Sequence, residues 1–159
     1  MRCGKPGAAA RTGPIVGASA LLLLISIPAD AYLGGNYASV QSDRRLIQGQ
    51  LRSTPTAAYD VHEITAASGI TVREYVSRAG TVFALTWRGP VLPNLRQLLD
   101  TYFVEYVDAM ASPRPGALRH ANVERPGLVV HSDGHLRAFS GRAYVPALVP
   151  DSVYAEQLP

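Results

Sequence analysis

Apolar residues along the 159-residue chain follow three rhythms, and each predicts a different kind of element. The first is an unbroken, weakly polar to apolar run over residues 15–27, stopped by Pro28. The second is a period of two over residues 59–65, 70–77 and 81–87, rich in Val, Ile, Thr, Tyr, Phe and Trp. Side chains that alternate across a pleated strand produce it. The third is a helical stripe: Leu95, Leu98, Leu99, Tyr102, Phe103, Tyr106, Val107 and Met110 recur at spacings of three and four. One continuous amphipathic helix ending near Ser112 satisfies that stripe. Pro93 suits its first turn, and Asn94 with Gln97 can instead act as a capping pair.

Turn chemistry joins these runs. Residues 32–37, with Gly34-Gly35-Asn36, read as a flexible lead-in. Ser39 can then cap a short helix to about Gln48, with Val40, Leu46 and Ile47 on its apolar side and Gly49 as its stop. Residues 53–56, with Pro55, read as a connection. Ala67-Ser68-Gly69 and Arg78-Ala79-Gly80 are three-residue breaks ending in Gly, the chemistry of a bulged hairpin loop. Ser132-Asp133-Gly134 repeats it between residues 128–131 and 135–145, while Ser112-Pro113-Arg114-Pro115-Gly116 makes a stiff loop. The fold class these elements predict is α+β. A short N-terminal helix precedes a three-stranded antiparallel β-meander, a long amphipathic helix packs across it, and a two-stranded hairpin follows.

A three-residue first loop sets the strand register so that His62 opposes Glu74 and Glu63 opposes Arg73. A two-residue Ser68-Gly69 turn would oppose Glu63 to Glu74, two carboxylates that repel unless they share a proton, so the first register is preferred. It puts His62, Ile64, Ile70, Val72, Glu74, Val76, Val82 and Ala84 on one face, and Tyr59, Val61, Glu63, Arg73, Tyr75, Phe83, Leu85 and Trp87 on the other. Both faces are partly apolar. The long helix covers one; the short helix, the chain ends or a second subunit must help with the other, and a homodimer or an envelope protein is the kind of partner the chain allows.

The run over residues 15–27 changes the picture of charge and compartment. Arg2, Lys5 and Arg11 precede it, and Ala29-Asp30-Ala31 follows it with the small-x-small pattern of a signal-peptidase site. Residues 1–31 are expected to be a cleaved export signal, with Ala29 and Ala31 as the cleavage residues, since the run falls short of the roughly 20 residues a membrane span needs. Residues 32–159 then form one domain, exported to the periplasm or secreted, with no stable membrane anchor. Of the 15 Lys and Arg and the 12 Asp and Glu, three basic residues and Asp30 lie in the leader, which leaves 12 and 11. So small an excess argues against nucleic acid as a partner. The leader also holds the single cysteine, Cys3, so disulfide and thiolate chemistry are excluded from the mature domain.

Chemistry-bearing residues are few. A histidine held by a carboxylate is a common general base, which makes His62 and Glu74 the catalytic candidates; the alternative is a satisfied polar pair in a half-buried sheet. His131 and His135, facing each other across the third loop near Asp133, are the candidate metal ligands. They fall short of the three or four that zinc requires, His120 being only an outside partner, and the alternative is a pair of solvated loop histidines. Arg137 and Arg142 could bind an anion, although exposed strand arginines are ordinarily solvated. Glycine-rich cofactor loops and the serine-hydrolase and zinc-protease motifs are absent, so no cofactor is expected.

Several blocks taken in order resemble a known set: Val61-His62-Glu63-Ile64-Thr65, Arg73-Glu74-Tyr75-Val76, Val82-Phe83-Ala84 with Trp87 and Gly89-Pro90, Leu95 with Leu98-Leu99, Tyr102-Phe103, and Ser140-Gly141-Arg142-Ala143-Tyr144-Val145-Pro146. They are similar to the uncharacterised bacterial family called domain of unknown function 2844. The resemblance covers nearly all of the mature chain and implies an exported bacterial domain. It supplies no catalytic residue. The functional expectation is therefore a non-catalytic binding or envelope-associated protein. Its rival is a small periplasmic enzyme or metal-binding protein using His62 and Glu74 or His131 and His135.

Overall fold

The computed structural model describes Met1, residues 32–111 and residues 120–159. Apart from Met1, the expected leader with Ala29 and Ala31 lies outside the described residues, as does the Ser112 to Gly116 loop.

Helix α1 (Tyr37–Ile47) starts at Asn36, whose side chain accepts the Ala38 and Ser39 amides, so the cap lies three residues before Ser39. A seven-stranded antiparallel sheet follows, in the order β1-β2-β3-β4-β7-β6-β5. Its strands are β1 (Gly49–Pro55), β2 (Tyr59–Ala66), β3 (Thr71–Ser77), β4 (Val82–Gly89), β5 (His120–Glu124), β6 (Val129–His135) and β7 (Ala138–Tyr144). Strands β1 to β4 form one meander and β5 to β7 another, joined edge to edge by β4 and β7. Between them the chain crosses the sheet through α2 (Leu95–Leu99), a 3-10 turn and α3 (Phe103–Met110).

This architecture corrects the expected three-stranded meander, long helix and separate hairpin in three ways. Two strands had no sequence signal. β1 is a polar edge strand on which only Leu51 packs against the core, and β5 is five residues long with only Ala121 and Val123 turned inward. Short, polar edges are how sheets avoid further pairing, and they lack the apolar alternation that reveals a strand. The long helix is broken at Asp100, which has φ of 41° and ends α2. Leu95, Leu98 and Leu99 on one side of the break and Tyr102, Phe103, Tyr106 and Met110 on the other still pack against the same core, so the stripe survives a kink that periodicity cannot see. Val107 is instead 45% exposed.

The third correction is the last hairpin. Ser132, Asp133 and Gly134 lie within β6, and the chain turns at Leu136 and Arg137, with His135 opposite Ala138. The observed register opposes Val129 to Tyr144 and Val130 to Ala143, all four buried, whereas a Ser132-Asp133-Gly134 loop would oppose Val129 to Arg137. Matching of apolar faces overrode the local turn signal. The first two loops do hold their expected form: Gly69 and Gly80 have φ of 83° and 84°, and His62 opposes Glu74 and Glu63 opposes Arg73.

One irregularity decides which residues share a face. Tyr75 opposes Ala84 but Val76 opposes Val82, so Phe83 is an extra residue in β4. Beyond this bulge the parity of β4 inverts. Leu85 and Trp87 therefore join Val72 and Val76 under the helices, and Ala84 joins Tyr75 and Phe83 on the opposite face, reversing the expected assignment of all three. Residues 146–159 fold over that opposite face, with Leu148, Val149, Val153, Ala155 and Leu158 against Tyr75, Phe83 and Tyr144. The chain's own tail thus supplies the cover expected from a chain end or a second copy.

Candidate functional site

Strand register brings His62 and Glu74 side by side, and the helices then seal them in. Glu74 is 1% exposed and His62 5%. The His62 Nδ1 lies 2.8 Å from the Ser53 hydroxyl on β1, and its ring lies 5.2 Å from that of Tyr37 on α1. Burial lowers the His62 pKa below its ordinary 6.5, against a smaller opposing pull from Asp60. Its polar partner is Ser53, and no hydrogen bond joins it to Glu74.

The partner of Glu74 is Asp43, from α1, itself fully buried. Two carboxylates offer each other only acceptors, and no other hydrogen-bond donor from the described residues meets either Glu74 oxygen. The contact is therefore favourable only when one carboxyl keeps a proton and donates it to the other. Burial first, and the Asp43 charge and hydrogen bond next, push the Glu74 pKa well above the ordinary carboxylate range. From α2 the Gln97 amide donates to Asp43 Oδ1. Asp43, Glu74 and Gln97 tie α1, β3 and α2 together in a polar knot inside the core.

The remaining histidines lie at the other end of the sheet. His131 and His135 are four residues apart on β6 and do not face each other; the corrected turn separates them. His131 Nε2 lies 3.5 Å from Glu124 Oε1. His120, which begins β5, has its Nδ1 2.8 Å from Asp133 Oδ1 and its ring 5.9 Å from that of His135. Among the described residues, no group of three or more His, Cys, Asp or Glu side chains is placed to hold a metal ion.

A trough of about 700 Å³ lies on the tail-covered face, beside Leu158 and Pro159. Two rows of opposed residues form its floor. One runs Glu63, Arg73, Thr86, Arg142, His131 across five strands, and the next runs Thr71, Arg88, Ser140, Asp133. All nine line the trough. Arg73 is bound to Glu63 at 2.7 Å, and that hydrogen bond is the main reason its pKa is raised. Arg142 donates to the main-chain oxygen of Glu156, and the hydroxyls of Tyr75 and Thr86 to that of Pro159, so the tail forms one wall. Neither Arg88 nor Arg142 lies within ion-pair distance of a carboxylate among the described residues.

A family model for proteins of unknown function matches residues 29–158. The chain belongs to the DUF2844 family, proteins of unknown function. No curated protein and no solved structure matches it. The family assignment agrees with the resemblance carried by the strand blocks, and it assigns no role to any residue of this DUF2844 domain.

Sequence reasoning missed Asp43 and Gln97. Asp43 sits on a helix whose apolar side was read from Val40, Leu46 and Ile47, yet Leu46 is 58% exposed and Asp43 fully buried. Reasoning also missed the arginine floor, because without the bulge at Phe83 Arg73 falls on the face of Leu85 and Trp87 rather than that of Thr86 and Arg88. In this DUF2844 domain the alternation of Leu85 and Trp87 with Thr86 and Arg88 was the available signal.

Proposed function

We propose that this domain is an exported, non-catalytic binding module, periplasmic or secreted, and that the polar trough is its ligand surface. One observation carries the reading: the candidate catalytic pair His62 and Glu74 is sealed in the core, while the polar strand face beside the tail is open and of a size that suits a small ligand, about 300–1,000 Å³. The catalytic alternative needs a substrate to reach Glu74 or His62, which are buried beside Asp43 and Tyr37 of α1. Support for export comes from the basic, apolar and small-x-small order of the first 31 residues and from a family match that begins only at residue 29.

Native mass spectrometry of the protein after incubation with a bacterial envelope extract tests the binding half. Wild type is expected to retain a ligand mass, and Ser140→Trp, which fills the trough floor, to lose it. Equal retention by the folded variant removes the trough from the function. Mass analysis of the exported form tests the other half: a chain beginning at Tyr32 is expected, and a form still carrying the first 31 residues contradicts export.

A further inference from the structure

Three arginines meet around one threonine. Thr86 opposes Arg73 on β3 and Arg142 on β7, and Arg88 follows two residues along β4 on the same face. Neighbouring strands lie about 5 Å apart, so the three side chains rise from positions within reach of one another's head groups. Their charges are not equally free. Glu63 occupies Arg73 at 2.7 Å, and Asp133, the other acidic side chain lining the trough, is hydrogen-bonded to His120 at 2.8 Å. Arg88 and Arg142 are left as two guanidinium groups with no carboxylate at ion-pair distance among the described residues, beside the Ser140 hydroxyl, and the Glu156 carboxylate attracts Arg142 only from beyond that distance.

We propose that the trough seats an oxyanion, the carboxylate or phosphate group of a small molecule, between Arg88 and Arg142. This rests on the trough being the ligand surface. The planar guanidinium fork matches two oxygens of either group, and Ser140 adds a hydroxyl donor, that of Thr86 being given to the Pro159 main-chain oxygen. Arg142 is already oriented by its bond to the Glu156 main-chain oxygen, which leaves its other donors for the ligand. An uncharged sugar platform fits less well, because the aromatic residue of the lining, Trp87, is 2% exposed and packed under the helices. Two arginines are also too few for a nucleic-acid backbone, where a tight complex neutralises about 6–10 phosphates.

Backbone amide spectra of the purified protein, titrated separately with sodium phosphate and sodium succinate at constant ionic strength set by sodium chloride, test the proposal. Thr86, Arg88, Ser140 and Arg142 are expected to shift to saturation with at least one probe; phosphate response assigns a phosphate ester, succinate response a carboxylate. Arg88→Gln and Arg142→Gln should each weaken binding about tenfold or more. Arg137→Gln, at the hairpin tip away from the trough, should leave it unchanged, and the thermal midpoints of the variants without probe should stay within about 3 °C of wild type. Absence of saturating shifts with both probes overturns the proposal, as does equal weakening by Arg137→Gln. If Ser140→Trp abolishes retention of the extract ligand while neither probe binds, the trough reading stands and the oxyanion falls. If Ser140→Trp leaves retention intact, the trough reading itself has failed.

Discussion

The carboxyl groups of Asp43 and Glu74 meet inside the core, one from α1 and one from β3, with both side chains withdrawn from solvent. The contact needs a shared proton, and that makes the docking of α1 sensitive to pH. Asp43 comes from α1; the other groups facing Glu74 are the Gln97 amide of α2 through Asp43, His62 of β2 and the apolar Leu85 of β4.

Because the folded-state pKa of Glu74 lies well above the ordinary 4.5, the folded protein holds a proton that the unfolded chain gives up. Stability from this group is complete below about 4.5 and is lost as pH rises through the raised value. Glu74→Gln replaces the proton with an amide donor. Urea unfolding at pH 5 and pH 8 should show wild type losing stability relative to Glu74→Gln at the higher pH. A constant difference between the two proteins contradicts the shared proton.

His62 works in the opposite sense. Its pKa is lowered by burial, so its contribution is present above 6.5 and lost as pH falls through the folded value. Titration of the ring protons by NMR should give a midpoint below 6.5, and a midpoint at or above it contradicts the burial. Ser53→Ala removes the partner of Nδ1 and should cost about 1 kcal/mol in unfolding free energy.

Gly141 lies opposite Trp87, and a Cβ there would collide with the indole ring and with the main-chain oxygen of His131. Gly141→Ala should therefore destabilise the domain by about 1–3 kcal/mol, the usual cost of overpacking a filled core. Chemical denaturation checks it; a variant as stable as wild type would mean that the indole does not rest on β7.

The tail over residues 146–159 is a structural cover. Tyr144 donates to Glu156 at 3.0 Å, and Ala155, Val153 and Leu158 pack against Tyr75 and Phe83. Deleting residues 150–159 should expose those aromatic rings, lower the unfolding midpoint and induce binding of a hydrophobic dye that wild type does not bind, since each uncovered aromatic loses part of about 1.5–3 kcal/mol of burial. A truncated chain with unchanged midpoint and no dye binding contradicts this role.

Where one local signal decided the structure, the sequence was readable. Gly69 and Gly80 set two loops and with them the opposition of His62 to Glu74 and of Glu63 to Arg73. Where two signals competed, the local reading failed: Ser132-Asp133-Gly134 has the composition of a loop, but burying Val129 and Val130 against Tyr144 and Ala143 prevailed. The bulge at Phe83 has no turn chemistry to announce it, its one trace being the alternation of Leu85 and Trp87 with Thr86 and Arg88, and it carried the arginine floor out of view. Asp43 was hidden for a different reason. A polar residue at a helical position reads as solvated until a second buried carboxyl appears opposite it, and that pairing exists only in three dimensions.

The central claim is that ligand is taken on the open trough and not at the buried His62 and Glu74 pair. Its most direct test is ligand retention from the same envelope extract by wild type, Ser140→Trp and Glu74→Gln, each shown to be folded, measured by native mass spectrometry. Wild type and Glu74→Gln should retain the ligand and Ser140→Trp should not. Retention by Ser140→Trp together with loss in Glu74→Gln would contradict the account and move the function into the core.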